Sequence, residues 1–184
     1  DYNTYKSGSG VFSRRTIAIA FIASLGGLLF GFDASVISGV IQFIKPEFGL
    51  SDLQLGWVVS SPSISAMFSM LIAGTLSNKL GRKPLLIMIG FLFALSSLLS
   101  AFAPNYYLLV VARMIGGLAF GAVLILVPMY IAEIAPANNR GGLVSIEQLN
   151  IVIGFSVAYF SNYIIMQNID VQPLITENNA WRWM

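Results

Sequence analysis

The sequence predicts an all-α membrane protein, and its composition and its pattern of apolar runs support this fold class. Of the 184 residues, 57% are apolar and 10% are charged, and the mean hydropathy is +0.79. A soluble globule of this composition would expose a largely apolar surface to water. The apolar residues also fall into runs of about 20 or more, the length of a helix that crosses a bilayer. The net charge of +2 is too small to indicate nucleic-acid binding.

Five apolar runs are predicted to be transmembrane helices. Charged residues, prolines or glycines interrupt the chain between them; for example, Lys45 and Pro46 end the first run, and Pro104 ends the third. The runs cover residues 16–43, 53–77, 85–103, 106–134 and 143–166. We therefore expect a cytoplasmic segment at 1–15, five helices within 16–169, and an outer loop at 170–184 that leads to a sixth helix.

The positions of Lys and Arg predict a cytoplasmic amino terminus. One predicted side of the membrane holds only Lys45 and Arg182, and cations concentrate on the cytoplasmic side of membrane proteins. A secretory signal peptide is the alternative explanation for the cations before the first run, but that run is too long. The other cations outside the runs are Lys6, Arg14, Arg15, Lys79, Arg82, Lys83 and Arg140. A chain with five spans and a cytoplasmic amino terminus would end on the outer side of the membrane. We therefore expect that a carboxyl-terminal helical half is missing and that it is the partner of these five helices.

Asp33 and Arg113 are ionisable residues within otherwise uncharged stretches, where a lone charge is costly and usually functional. By helix rise, both lie about 11 to 15 Å from the outer ends of their spans, so they can pair. Asp33 is predicted to exchange a proton as a coupling switch. The alternatives are a static salt bridge, or an Arg113 that lies at a loop boundary.

Small residues recur at every fourth position of the first span and predict a close helix contact. By helical angle, Asp33 points away from this stripe. In the fourth span, Gly117 and Gly121 share the face of Arg113 and are expected to leave room beside its guanidinium. The stripe consists of Ala23, Gly27, Gly31, Ser35 and Gly39.

The chain has no Cys and no His, which excludes thiol nucleophiles, imidazole bases and the usual zinc ligands. We therefore predict no enzyme, no metal and no cofactor, with a proton as coupling ion. Asp33, Glu133 and Glu147 are the main candidates for proton chemistry. Glu147 lies near the start of the fifth span, where it is expected to reach the interface or meet Arg140; a proton role is the alternative.

Four motifs in order resemble one family. They are GGLLFGFDASVISG (26–39), GTLSNKLGRK (74–83), RMIGGLAFG (113–121) and PMYIAEIAPANNRG (128–141), and the closing WRWM resembles the entry to a sixth helix. Together they resemble the sugar porters of the major facilitator superfamily, closest to bacterial proton-linked monosaccharide symporters. The resemblance implies the amino-terminal half of such a transporter in a bacterial inner membrane.

The resemblance also implies roles for individual residues. Asp33 would accept the proton with Arg113 as its partner, Phe30 would line the sugar cavity, and Gln148 would bind sugar hydroxyls. Phe30 could equally face lipid or the core, and Gln148 could face only helix neighbours. The implied function is proton-coupled symport of a monosaccharide or cyclic polyol by alternating access. A facilitative uniporter and a transporter-like sugar sensor are the alternatives.

A cytoplasmic conformational latch between the two halves is implied as well. Its expected members are Asn78, Lys79, Arg82, Glu133 and Arg140. The alternative is that these are solvated charges which only set topology. The family usually has Asp at the position of Asn78, so we predict a weaker latch and a shift toward inward-facing or occluded states.

Overall fold

The computed structural model describes residues 14–136, 139–167 and 180–183. Five long helices in these ranges are apolar enough to cross a membrane, which confirms the five predicted spans. Most of the predicted segment 1–15 and most of the predicted loop 170–184 lie outside the described residues. The helices are α1 (Arg14–Glu47), α2 (Asp52–Leu80), α3 (Arg82–Ala101), α4 (Tyr106–Ile134), α5 (Arg140–Gln167) and the short α6 (Ala180–Trp183).

The connection between α1 and α2 differs slightly from the prediction. Lys45 and Pro46 lie within the last turn of α1 instead of ending it. The turn comes at Gly49, whose φ of +58° is readily adopted by glycine. Ser51 then begins α2 with a capping box: its hydroxyl accepts from the Gln54 backbone N–H, and the Gln54 side chain accepts from the Ser51 N–H.

A single residue, Gly81, separates α2 from α3. Its φ is +87°, a conformation that L side chains rarely adopt, and its N–H donates to the carbonyl of Ser77. The helices therefore turn back with no loop between them. We call this end of the bundle, where α1, α3 and α5 begin, the Gly81 end. The other end, which contains the connection at 102–105, is the Pro104 end.

The predicted close helix contact of the small-residue stripe is present: its three glycines, Gly27, Gly31 and Gly39, pack against α5. A Cβ added to Gly31 would lie 2.1 Å from the Ile151 carbonyl oxygen, and one added to Gly39 would lie 2.5 Å from Nδ2 of Asn162. The two helices run parallel, since both start at the Gly81 end. Glycine is thus needed at Gly31 because the two backbones approach each other closely, and at Gly39 because the Asn162 side chain fills the space.

α6 is attached to the Pro104 end of α1. Trp181 is 4% exposed and lies in an apolar cluster with residues of α1, α2 and α4. Its indole N–H donates to the Glu47 carboxylate, and Nη2 of Arg182 binds the other Glu47 oxygen at 3.1 Å. These contacts hold α6 beside the end of α1.

Candidate functional site

Asp33 and Arg113 form an ion pair between α1 and α4. Nη1 of Arg113 donates to Oδ1 of Asp33 at 2.7 Å. The Arg113 side chain is 9% exposed, whereas that of Asp33 is 27% exposed. The predicted contact is therefore present, and Asp33 points away from the α1 stripe that faces α5. The functional role of the pair remains a prediction.

The Asp33 carboxylate borders a cavity of about 330 Å³. This cavity lies between α1, α3, α4 and α6, and Ser96, Ser97 and Ser100 of α3 add hydroxyl groups to its wall. Ser96 donates to the carbonyl of Ala112, one residue before Arg113. The cavity is large enough to hold water molecules beside the Asp33 carboxylate.

The prediction that Gly117 and Gly121 leave room beside Arg113 is wrong. Both glycines instead lie against α2: an added Cβ would be 2.3 Å from the Pro62 carbonyl oxygen at Gly117 and 2.5 Å from that of Ala66 at Gly121. Gly116 is the glycine beside the ion pair, because a Cβ there would lie 3.9 Å from Oδ2 of Asp33. The helical angle correctly placed Gly117 and Gly121 on one face of α4, but it could not predict which neighbouring helix packs against that face.

Phe30 and Gln148 lie on the neighbouring helices α1 and α5. The Phe30 ring is half-buried and packs on the Phe120 ring of α4 with 4.9 Å between centroids. Gln148 is exposed, and its amide makes no hydrogen bond with the described part of the chain. An unpaired exposed amide has all its hydrogen-bonding capacity free for another molecule.

Two of the five predicted latch residues contact each other. Arg82 of α3 binds Glu133 of α4 through Nη2 at 2.7 Å and through Nε at 3.0 and 3.1 Å. Its Nη1 also donates to the Ser77 carbonyl at 3.3 Å, so Arg82 ties α2, α3 and α4 together. Three further predicted members are exposed, and within the described ranges none of them joins an ion pair: Asn78, Lys79 and Arg140.

The expectation that Glu147 reaches the interface or meets Arg140 is wrong. Glu147 is 1% exposed and lies between α5 and α1, and neither of its carboxyl oxygens has a hydrogen-bond partner. Its side chain points to α1, because a Cβ added to Gly27 would lie 3.1 Å from Cγ of Glu147. Sequence position gave only the distance of Glu147 from the helix start, and not the helix that it faces.

A buried polar contact lies close to Glu147 and was not predicted. Nδ2 of Asn150 donates to the Ser24 hydroxyl of α1 at 2.6 Å. The spacing of Glu147, Asn150 and Gly154, three or four residues apart, places them on one helix face and could have indicated this contact. No group of three or more acidic side chains that could hold a metal occurs in the described residues.

Comparison with known proteins identifies the family of this bundle. The family profile described as "Sugar (and other) transporter" matches residues 19–184. The chain belongs to this sugar transporter family. The fold is that of the amino-terminal half of a major facilitator superfamily transporter.

Similar proteins support this assignment. The sugar transporter chain is 40% identical to a D-xylose transporter of Levilactobacillus brevis, covering 90% of this chain and 34% of that protein. It is 41% identical to the galactose-proton symporter of Escherichia coli K12, covering 92% of this chain and 34% of that protein. A solved structure of the proton:xylose symporter XylE superposes with a TM-score of 0.82 at 34% identity, covering 92% of this chain and 40% of that chain. The chain thus spans about a third of the length of the curated relatives it matches.

Proposed function

We propose that this chain is part of a proton-coupled symporter for a monosaccharide or cyclic polyol. The observation that carries the proposal is the Asp33–Arg113 ion pair of 2.7 Å, which lies next to a cavity large enough for water. Relatives that are sugar-proton symporters support the same class of activity. The proton serves as coupling ion, and no covalent chemistry on the sugar is required.

Protonation of Asp33 removes the charge that holds Arg113. In the paired state the carboxylate compensates the charge of the guanidinium, which is buried. A proton on Asp33 leaves Arg113 without this partner and frees α1 to move relative to α4. Alternating access then follows if the transporter opens to one side of the membrane while Asp33 and Arg113 are paired, and to the other side while they are unpaired.

The sugar is proposed to bind at the exposed Gln148 amide, with Phe30 contributing apolar surface. A carboxamide both donates and accepts, which suits the vicinal hydroxyls of a sugar or polyol. An aromatic ring such as that of Phe30 can pack on the C–H face of a sugar ring. We propose that the protein lies in a bacterial plasma membrane with its Gly81 end facing the cytoplasm. The cations Lys79, Arg82 and Lys83 lie at this end, and cations concentrate on the cytoplasmic side of membrane proteins.

The test measures sugar accumulation by the full-length protein in proteoliposomes with an imposed proton gradient. D-xylose, D-glucose and D-galactose are the probe sugars, and counterflow of the same sugars measures exchange. The unmodified protein is expected to accumulate one of them, whereas Asp33→Asn exchanges sugar without accumulation. Accumulation that persists in Asp33→Asn would overturn the coupling role, and flux indifferent to the gradient in the unmodified protein would identify a uniporter.

A further inference from the structure

Glu147 is a buried acid that the proposed transport cycle does not use. Both carboxyl oxygens lack a hydrogen-bond partner, and the residue is 1% exposed. A carboxylate ion that loses its hydration without gaining a cation or a hydrogen-bond donor is strongly destabilised relative to the neutral acid. Ionisation of Glu147 therefore requires that water or a cation reach it.

Among the described residues, no charged or titratable group on a neighbouring element binds the Glu147 carboxyl group. Glu147 packs in an interface formed by α1 and α5, with α4 and α6 as the other elements that contact α5. The described residues offer no cation within hydrogen-bond distance of its carboxyl group. The charged and titratable groups on these elements include Asp33 (bound to Arg113), Glu133 (bound to Arg82), Arg182 (bound to Glu47), Tyr130 on α4, and the exposed Arg140 on α5.

The position of Glu147 along the interface gives it a way to be hydrated. α1 and α5 are closest at the level of Gly31 and Gly154, where an added Cβ would lie 2.1 and 2.3 Å from a backbone oxygen of the other helix. At Gly27, nearer the Gly81 end, the closest atoms are 3.1 Å away and include Cγ of Glu147. The contact between α1 and the first two turns of α5 is therefore less close than the contact at Gly31.

We propose that Glu147 is a second proton-binding site, which keeps its proton while α5 is closed on α1 and releases it when the first two turns of α5 separate. In the release step the carboxyl O–H bond breaks, the proton passes to water that enters from the Gly81 end, and the carboxylate is hydrated. The proton returns from the same side. Glu147 thus controls the conformation of α5 without carrying a proton across the membrane, and this role rests on the proposed transport function.

The first test measures the pH dependence of sugar counterflow by the full-length protein between about pH 5 and pH 9. The Asp33→Asn background removes the contribution of the ion pair. In this background we expect the exchange rate to change about five-fold or more with pH, and Glu147→Gln to remove that dependence. Asp52→Asn is the matched control, because Asp52 is an exposed acid at the opposite end of the bundle, and it should leave the pH profile unchanged.

The second test needs no transport. Spin labels at Ile19→Cys and Gly142→Cys, both exposed positions near the Gly81 end, report the separation of α1 from the first turns of α5. We expect the distance to increase as pH rises in the otherwise unmodified protein and to stay constant with Glu147→Gln. A pH-independent distance without that substitution, or an unchanged pH response with it, would overturn the Glu147 proposal. Sugar accumulation by the Asp33→Asn variant would instead overturn the proposed proton coupling. The pH dependence of the spin-label distance would still test the Glu147 proposal independently.

Discussion

Arg113 meets Asp33 through Nη1 alone, and its Nε is buried without a hydrogen-bond partner. The guanidinium is therefore held at one point, and loss of the Asp33 charge would leave it without its counterion. This geometry differs from the Arg82–Glu133 contact, where Nε and Nη2 both bind the carboxylate.

We expect Asp33→Asn to lower the free energy of unfolding by about 1 to 3 kcal/mol, since it leaves a buried donor group without its charged partner. The double variant Asp33→Asn/Arg113→Gln should recover part of this loss, because no unpaired charge remains. Denaturant unfolding in detergent, analysed as a double-mutant cycle, measures the coupling between the two residues. Strictly additive effects would mean that the ion pair contributes nothing to stability.

Gln148→Ala should weaken sugar binding about ten-fold, the loss expected for hydrogen bonds of about 1 to 1.5 kcal/mol. The reason is that its free amide is the proposed partner of the sugar hydroxyls. The concentration for half-maximal counterflow of D-xylose, D-glucose or D-galactose measures the effect. Leu149→Ala is the matched control, because the neighbouring Leu149 is also exposed but apolar. An equal loss in both variants would argue against a specific sugar contact.

Asn78→Asp should shift the conformational equilibrium toward outward-open states about two- to five-fold. The reason is that the new carboxylate can form a surface ion pair, and such a pair contributes up to about 1 kcal/mol. Asn78 is exposed at the Gly81 end, so an added carboxylate there is available to cations outside this bundle. Distances between spin labels on the two halves of the full-length protein measure the ratio. Asn78→Gln keeps the side chain neutral and should not change it. An unchanged ratio in Asn78→Asp would remove Asn78 from the proposed latch.

Gly31→Ala should destabilise the bundle by about 1 to 3 kcal/mol, because the added methyl would overlap the Ile151 carbonyl and force α1 from α5. Gly56→Ala is the control: nothing lies within 4 Å of a Cβ at Gly56, and alanine favours a helix. Thermal unfolding in detergent compares the two. Equal stability of both variants would contradict the close contact between α1 and α5.

The sequence allowed the spans and the ion pair to be predicted because both depend on quantities that can be counted along the chain. Run length gives the number of helices, and helix rise gives the similar depth of Asp33 and Arg113. The surroundings of Gly117 and Glu147 depend on which helix lies beside them, and periodicity within one helix does not contain this information. The Gln148 environment depends in addition on whatever covers its exposed surface.

The single-residue turn at Gly81 has a mechanical consequence. Only Gly81 separates α2 from α3. Arg82 links both helices to the end of α4, because it binds the Ser77 carbonyl and the Glu133 carboxylate. A force on any one of these helix ends is therefore shared by all three. A fluorescent reporter attached at the exposed Leu80 is therefore expected to respond to movement of the end of α4 as well as to movement of α2.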